Sequence, residues 1–104
     1  MEFELTRIAE EFFEPITIGN FKVSIQASQW HYSKPRKTLA SSNDYTDFEV
    51  SLLYFDKDIY PLSHEKLFKY DWAKFWSAKD GIAILSRNQV QQLIEDLKGY
   101  HEEG

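Results

Sequence analysis

Ile16-Thr17-Ile18-Gly19-Asn20-Phe21-Lys22-Val23-Ser24-Ile25-Gln26-Ala27 is the stretch whose reading decides the fold. Phe21, Val23, Ile25 and Ala27 alternate with Lys22, Ser24 and Gln26. Successive side chains of a strand point to opposite faces, so this is a strand with one buried face and one wet face. Gly19-Asn20 separates it from Ile16-Thr17-Ile18, and two turn residues between apolar runs predict a tight hairpin. Pro15 lacks an N–H and marks the start of the first strand or an edge position.

Outward from the hairpin, residues 45–55 read as a second strong strand. Tyr45, Phe48, Val50, Leu52 and Tyr54 include one apolar face, with a slip between 45 and 48. Leu53 and Phe55 make the other face apolar near the end, as in a central strand partly covered on both sides. The last element is a helix over 87–98. Ser86 and Gln89 have capping-box spacing, in which the hydroxyl takes the N3 amide and the Gln reaches back to the cap amide. Val90, Leu93, Ile94 and Leu97 form one apolar stripe, Lys98 suits the negative helix end, and Gly99 follows it.

The rest of the chain is read more coarsely. Residues 56–63 are a loop, and Ser63 caps a short helix through about 69 in this reading. Residues 70–86 read as a hairpin: Tyr70, Trp72, Phe75 and Trp76 on one arm, Asp80-Gly81 at the turn, Ile82–Leu85 returning. At the N-terminus, Phe3 and Leu5 suit a strand, but Leu5, Ile8, Ala9 and Phe12 fit a helix over 4–13, which is the reading adopted. The expected fold is α+β: one domain over 1–104, an antiparallel sheet of four to five strands, and the C-terminal and N-terminal helices packed on one face.

Composition supports a globular chain. It is 104 residues long, 42% hydrophobic and 28% charged, so it can bury a core. Aromatics make up 16%, and large rings fill a small core efficiently. The absence of Cys excludes disulfides and thiolate metal sites. A formal net charge of −5 makes the chain a poor general ligand for nucleic acid or anionic membrane. No apolar run is long enough to span a bilayer, and Met1-Glu2-Phe3-Glu4 lacks a basic signal-type start, so a cytoplasmic setting is expected.

Trp30-His31-Tyr32-Ser33-Lys34-Pro35-Arg36-Lys37 is the segment richest in chemistry. It combines an imidazole, a phenol, a hydroxyl and three cations, the set that holds a phosphate by charge and a base by stacking. Trp30, His31, Tyr32, Lys34, Arg36 and Lys37 are therefore the candidate binding residues, against the plainer reading of a strand end followed by a solvated basic loop. Asp44, Asp47 and Glu49, with Trp76, form a second candidate patch. Phe75 and Trp76 are neighbours and cannot both face one core from a strand, so one of them is expected to be exposed, as interface anchors are.

No catalytic motif is present. There is no glycine-rich phosphate loop and no nucleophile elbow. His64-Glu65 resembles half of a zincin motif, but residue 68 is Phe where the second His is required. Asp56-Lys57-Asp58 resembles the opening of a calcium loop, but Tyr60 and the residues after it break the spacing. No metal site, cofactor or catalytic residue is expected, and a small hydrolase or nuclease using His31 or His64 is the third reading.

The stretch Val23 to Arg36, within a short, cysteine-free, acidic, aromatic-rich chain, resembles small orphan proteins encoded by bacteriophages, among them anti-CRISPR-like inhibitors of bacterial defence. The resemblance covers 14 residues and includes no catalytic group. It implies no more than action by stoichiometric binding. Together with the missing catalytic motifs, the aromatic content and the segregated charge, the expected function is a non-enzymatic inhibitor or adaptor of a bacterial phage-defence or nucleic-acid-handling complex. The expected partner is a protein, not nucleic acid or a membrane, and pairing of sheet edges leaves a homodimer open. A small-ligand or nucleotide-binding module using residues 30–37 is the alternative.

Overall fold

The computed structural model describes residues 3–100. It contains strands β1 (Arg7–Ala9), β2 (Phe12–Phe13), β3 (Ile16–Ile18), β4 (Phe21–Gln26), β5 (Asp47–Tyr54), β6 (Lys57–Asp58) and β7 (Ala83–Ser86), then helix α1 (Arg87–Lys98). Single 3-10 turns occupy Ser42–Asp44, Pro61–Ser63 and Asp71–Phe75. β3 to β7 form one antiparallel sheet, and β1–β2 is a separate ribbon. The α+β class, the five-stranded antiparallel sheet and the C-terminal helix all match the expectation.

β5 is the spine. It pairs with all of β4, from Phe21 opposite Tyr54 to Gln26 opposite Glu49. Its other edge is shared by β6, opposite Leu53 and Tyr54, and by β7, opposite Asp47 to Val50. This register stacks the apolar alternates: Val23 beside Leu52, Ile25 beside Val50, Phe48 beside Leu85. All six are fully buried. α1 packs on that face through Val90, Leu93, Ile94 and Leu97, with its capping box formed. The opposite face carries Lys22, Ser24, Glu49, Ser51, Leu53 and Ile84, and stays open or half-open.

The tight turns follow their backbone demands. Gly19 sits at φ +58 in the β3–β4 hairpin, a conformation that suits glycine. The β5–β6 hairpin instead places Phe55 and Asp56 at φ +51 and +63, where side chains are strained.

Three expectations are corrected. Residues 4–13 are not a helix but lead into the β1–β2 ribbon. A helix would consume the main-chain groups of its own residues. Here the N–H of Phe13 donates to Oε1 of Gln26, and Nε2 of Gln26 donates back to the Phe13 carbonyl, both at 2.8 Å. Only extended backbone leaves both groups free for one side-chain amide, and Phe13 rather than Phe12 is the buried ring. One helix therefore covers the sheet, helped by the 3-10 turns, instead of two.

Second, no helix starts at Ser63. Its hydroxyl donates back to the Tyr60 carbonyl, and Nδ1 of His64 accepts the N–H groups of Lys66 and Leu67, closing a turn. Third, residues 71–75 are a 3-10 turn and not a hairpin arm, with only Trp76 bridging to Ala83. Trp72 within the turn and Trp76, the extended residue that ends it, both lie inward, their ring centroids 5.9 Å apart. An extended arm would have aligned residues 68, 70 and 72 instead.

Candidate interaction surface

The basic segment leaves β4 at Ala27 and is fixed by a buried serine. Ser28 is fully buried. Its hydroxyl accepts the Trp30 N–H at 3.0 Å and lies 2.7 Å from Nδ1 of His31. The Ser28 carbonyl accepts the His31 N–H, and Ser33 donates to that carbonyl and to the carbonyl of Pro35. Phe12 closes over the His31 ring, edge to face at 5.3 Å. His31 is thus buried and holds the turn together. The hydroxyl beside it faces no solvent, which a hydrolytic Ser-His pair requires.

The segment is also tied to β5. The Tyr32 N–H donates to Oε1 of Glu49 at 3.1 Å. Lys34 bridges to Asp47 through its N–H, and the Thr46 N–H donates to the Lys34 carbonyl. The Lys34–Pro35 peptide is cis. Two patches that are separate in sequence, 30–37 and 44–49, therefore form one continuous surface.

The predicted residues take different places on it. Trp30 is 67% exposed and Tyr32 50% exposed. The Arg36 guanidinium lies over the Tyr32 ring, 4.7 Å from its centre. Lys34, Arg36 and Lys37 are exposed and make no ion pair among the described residues. Asp44 is exposed, Asp47 accepts from the Thr46 hydroxyl at 2.9 Å, and Glu49 is held by Tyr32. Trp76 does not belong to the surface: it is 3% exposed, and its indole N–H donates to the Gly81 carbonyl at 3.2 Å. Of the adjacent pair, Phe75 is the exposed ring.

Sequence reasoning missed what completes the surface. Ile84 lies opposite Glu49 in the sheet, on the face away from the core. It comes together with Tyr32, Phe75 and Ile82 around a mainly apolar groove of about 300 Å³, bordered by Ser77 and Asp80. The signal was present in the alternation of Ile82-Ala83-Ile84-Leu85, which obliges Ile84 to face away from Ala83 and Leu85.

Among the described residues, no group of three or more His, Asp or Glu side chains is placed to hold a metal. No helix among them is long and apolar enough to cross a membrane. Compared with protein-family models, curated proteins and solved structures, the chain matches none.

Proposed function

We propose that this chain is a non-enzymatic binding protein whose Tyr32–Phe75–Ile84 surface docks on an acidic patch of a larger protein, acting there as a stoichiometric inhibitor or adaptor. The observation that carries the reading is the apolar groove beside Tyr32 and Arg36. An exposed apolar centre bordered by charge is the anatomy of a protein interface. Tyr, Trp and Arg dominate interface energetics, and Trp30, Tyr32 and Arg36 stand exposed within seven residues. Lys34, Arg36 and Lys37 have no ion pair among the described residues, so carboxylates on the partner would complete them. The hydrogen bonds that Ser28 and Glu49 accept and Ser33 donates hold the segment in place before binding, which lowers the ordering cost of association. A bacterial nucleic-acid-handling complex is the partner class that the phage-protein resemblance favours.

The test is capture from nuclease-treated bacterial lysate with tagged wild type and with Arg36→Glu. A protein retained in stoichiometric amount by wild type and lost by Arg36→Glu, with an unchanged melting curve, supports the reading. Equal retention by both overturns it.

A further inference from the structure

A cleft of about 590 Å³ lies elsewhere, between α1 and the segment 69–72. Pockets of this size hold small ligands. Asp96 lines it. Oδ2 of Asp96 accepts the Trp72 indole N–H and Oδ1 accepts the Gln92 amide, both at 2.9 Å. Both donors are neutral. The carboxylate is therefore aimed and half-buried, yet forms no ion pair among the described residues.

Beside it, the Tyr70 ring stacks on Trp72 with centroids 5.4 Å apart and an angle of 14°. Trp72 is the buried member and Tyr70 the half-exposed one. The ammonium of Lys69 rests 5.5 Å from the Tyr70 centroid, so this ring already attracts a cation. Asn88 adds an exposed amide to the wall. Asp71 adds a second carboxylate, paired to Lys74 at 3.3 Å but itself 97% exposed. Asp71 is thus already matched by Lys74, and Asp96, beside the aromatic platform, is the lining carboxylate without an ion pair among the described residues.

We propose that this cleft binds a guanidinium group, ion-paired to Asp96 and stacked beside Tyr70 in the place that Lys69 now borders. A guanidinium is planar, always charged and rich in N–H donors, which suits a fixed carboxylate next to a ring face. The group could reach the cleft on a free small cation or on an arginine side chain of a peptide. The site is independent of the Tyr32–Phe75–Ile84 surface and needs no partner to be tested.

The experiment follows the Trp72 indole N–H resonance of the full chain while agmatine, or acetyl-arginine amide, is titrated in. Glutamate and butanol serve as anionic and neutral controls. The expected result is a saturable shift with a Kd of about 1 mM or tighter, absent with both controls. Asp96→Asn keeps an oxygen for Trp72 but removes the charge, and should weaken binding about tenfold or more. Tyr70→Leu should weaken it independently, and Lys69→Ala should bind at least as tightly as wild type. Preference for agmatine would indicate a free cation, and preference for the arginine amide a peptide-borne one. No shift with either compound would overturn the proposal, as would a shift that glutamate reproduces or that Asp96→Asn leaves unchanged.

Discussion

Gln26→Met is the perturbation that probes how the N-terminal ribbon is held. Methionine matches glutamine in length and bulk, so the substitution removes polarity without opening a cavity. Gln26 is 8% exposed, and its amide is the partner of both main-chain groups of Phe13 at 2.8 Å. Each hydrogen bond contributes roughly 0.5–1.5 kcal/mol net, and a buried group left unpaired costs roughly 1–3 kcal/mol. The two effects overlap, so the expected loss is about 2–4 kcal/mol, a large share of the roughly 5–15 kcal/mol that stabilises a domain. With a urea slope of about 1.5 kcal/mol per M, a 3 kcal/mol loss lowers the unfolding midpoint by about 2 M. Hydrogen exchange at the Phe13 amide should accelerate in step, because its acceptor is gone. A stability change under about 0.5 kcal/mol, the range of an ordinary surface substitution, would refute the claim that Gln26 pins the ribbon.

Other outcomes follow from single side chains. Ser28→Ala strips the acceptor from Trp30 N–H and the partner from His31, and should cost about 1–3 kcal/mol in urea unfolding. At position 55, where φ is +51, Phe55→Gly should be more stable than Phe55→Ala by about 1 kcal/mol. That reverses the usual order of the two residues, and equal melting temperatures would remove the strain argument. Ser86→Ala breaks the capping box of α1 and should cost about 1 kcal/mol by thermal melting.

Legibility in the sequence tracked the regularity of the local signal. α1 was readable because cap, stripe and C-terminal glycine agreed, and its bounds came out as expected. The β3–β4 hairpin was readable because alternation and turn residues agreed. Residues 4–13 misled because Leu5, Ile8, Ala9 and Phe12 carry helical spacing, while the bond that decides their conformation comes from Gln26, distant in sequence. Residues 70–76 misled because ring content was taken as strand content. The rings segregate instead residue by residue: Trp72 is buried from within the 3-10 turn, Phe75 at its end is exposed, and Trp76, where the backbone is extended again, is buried.

The candidate surface was half legible. Trp30, Tyr32 and Arg36 stood out by residue type. His31 looked equally functional, yet the Ser28 hydroxyl and Phe12 bury it. That the 30–37 and 44–49 segments share one face depends on the Tyr32–Glu49 and Lys34–Asp47 links, which no local pattern encodes. The Asp96 cleft was invisible for the same reason: it joins the 69–72 segment to α1 across 24 positions, from Trp72 to Asp96.

The most direct test of the binding surface compares two phenylalanines that are each 53% exposed, Phe75 inside the groove and Phe68 outside it. The measurement is the affinity of the captured partner for Phe75→Ser and for Phe68→Ser. Phe75→Ser should weaken binding about thirtyfold, as truncation of a central anchor costing about 2 kcal/mol does, while Phe68→Ser binds like wild type. Equal affinities for the two variants would contradict the account.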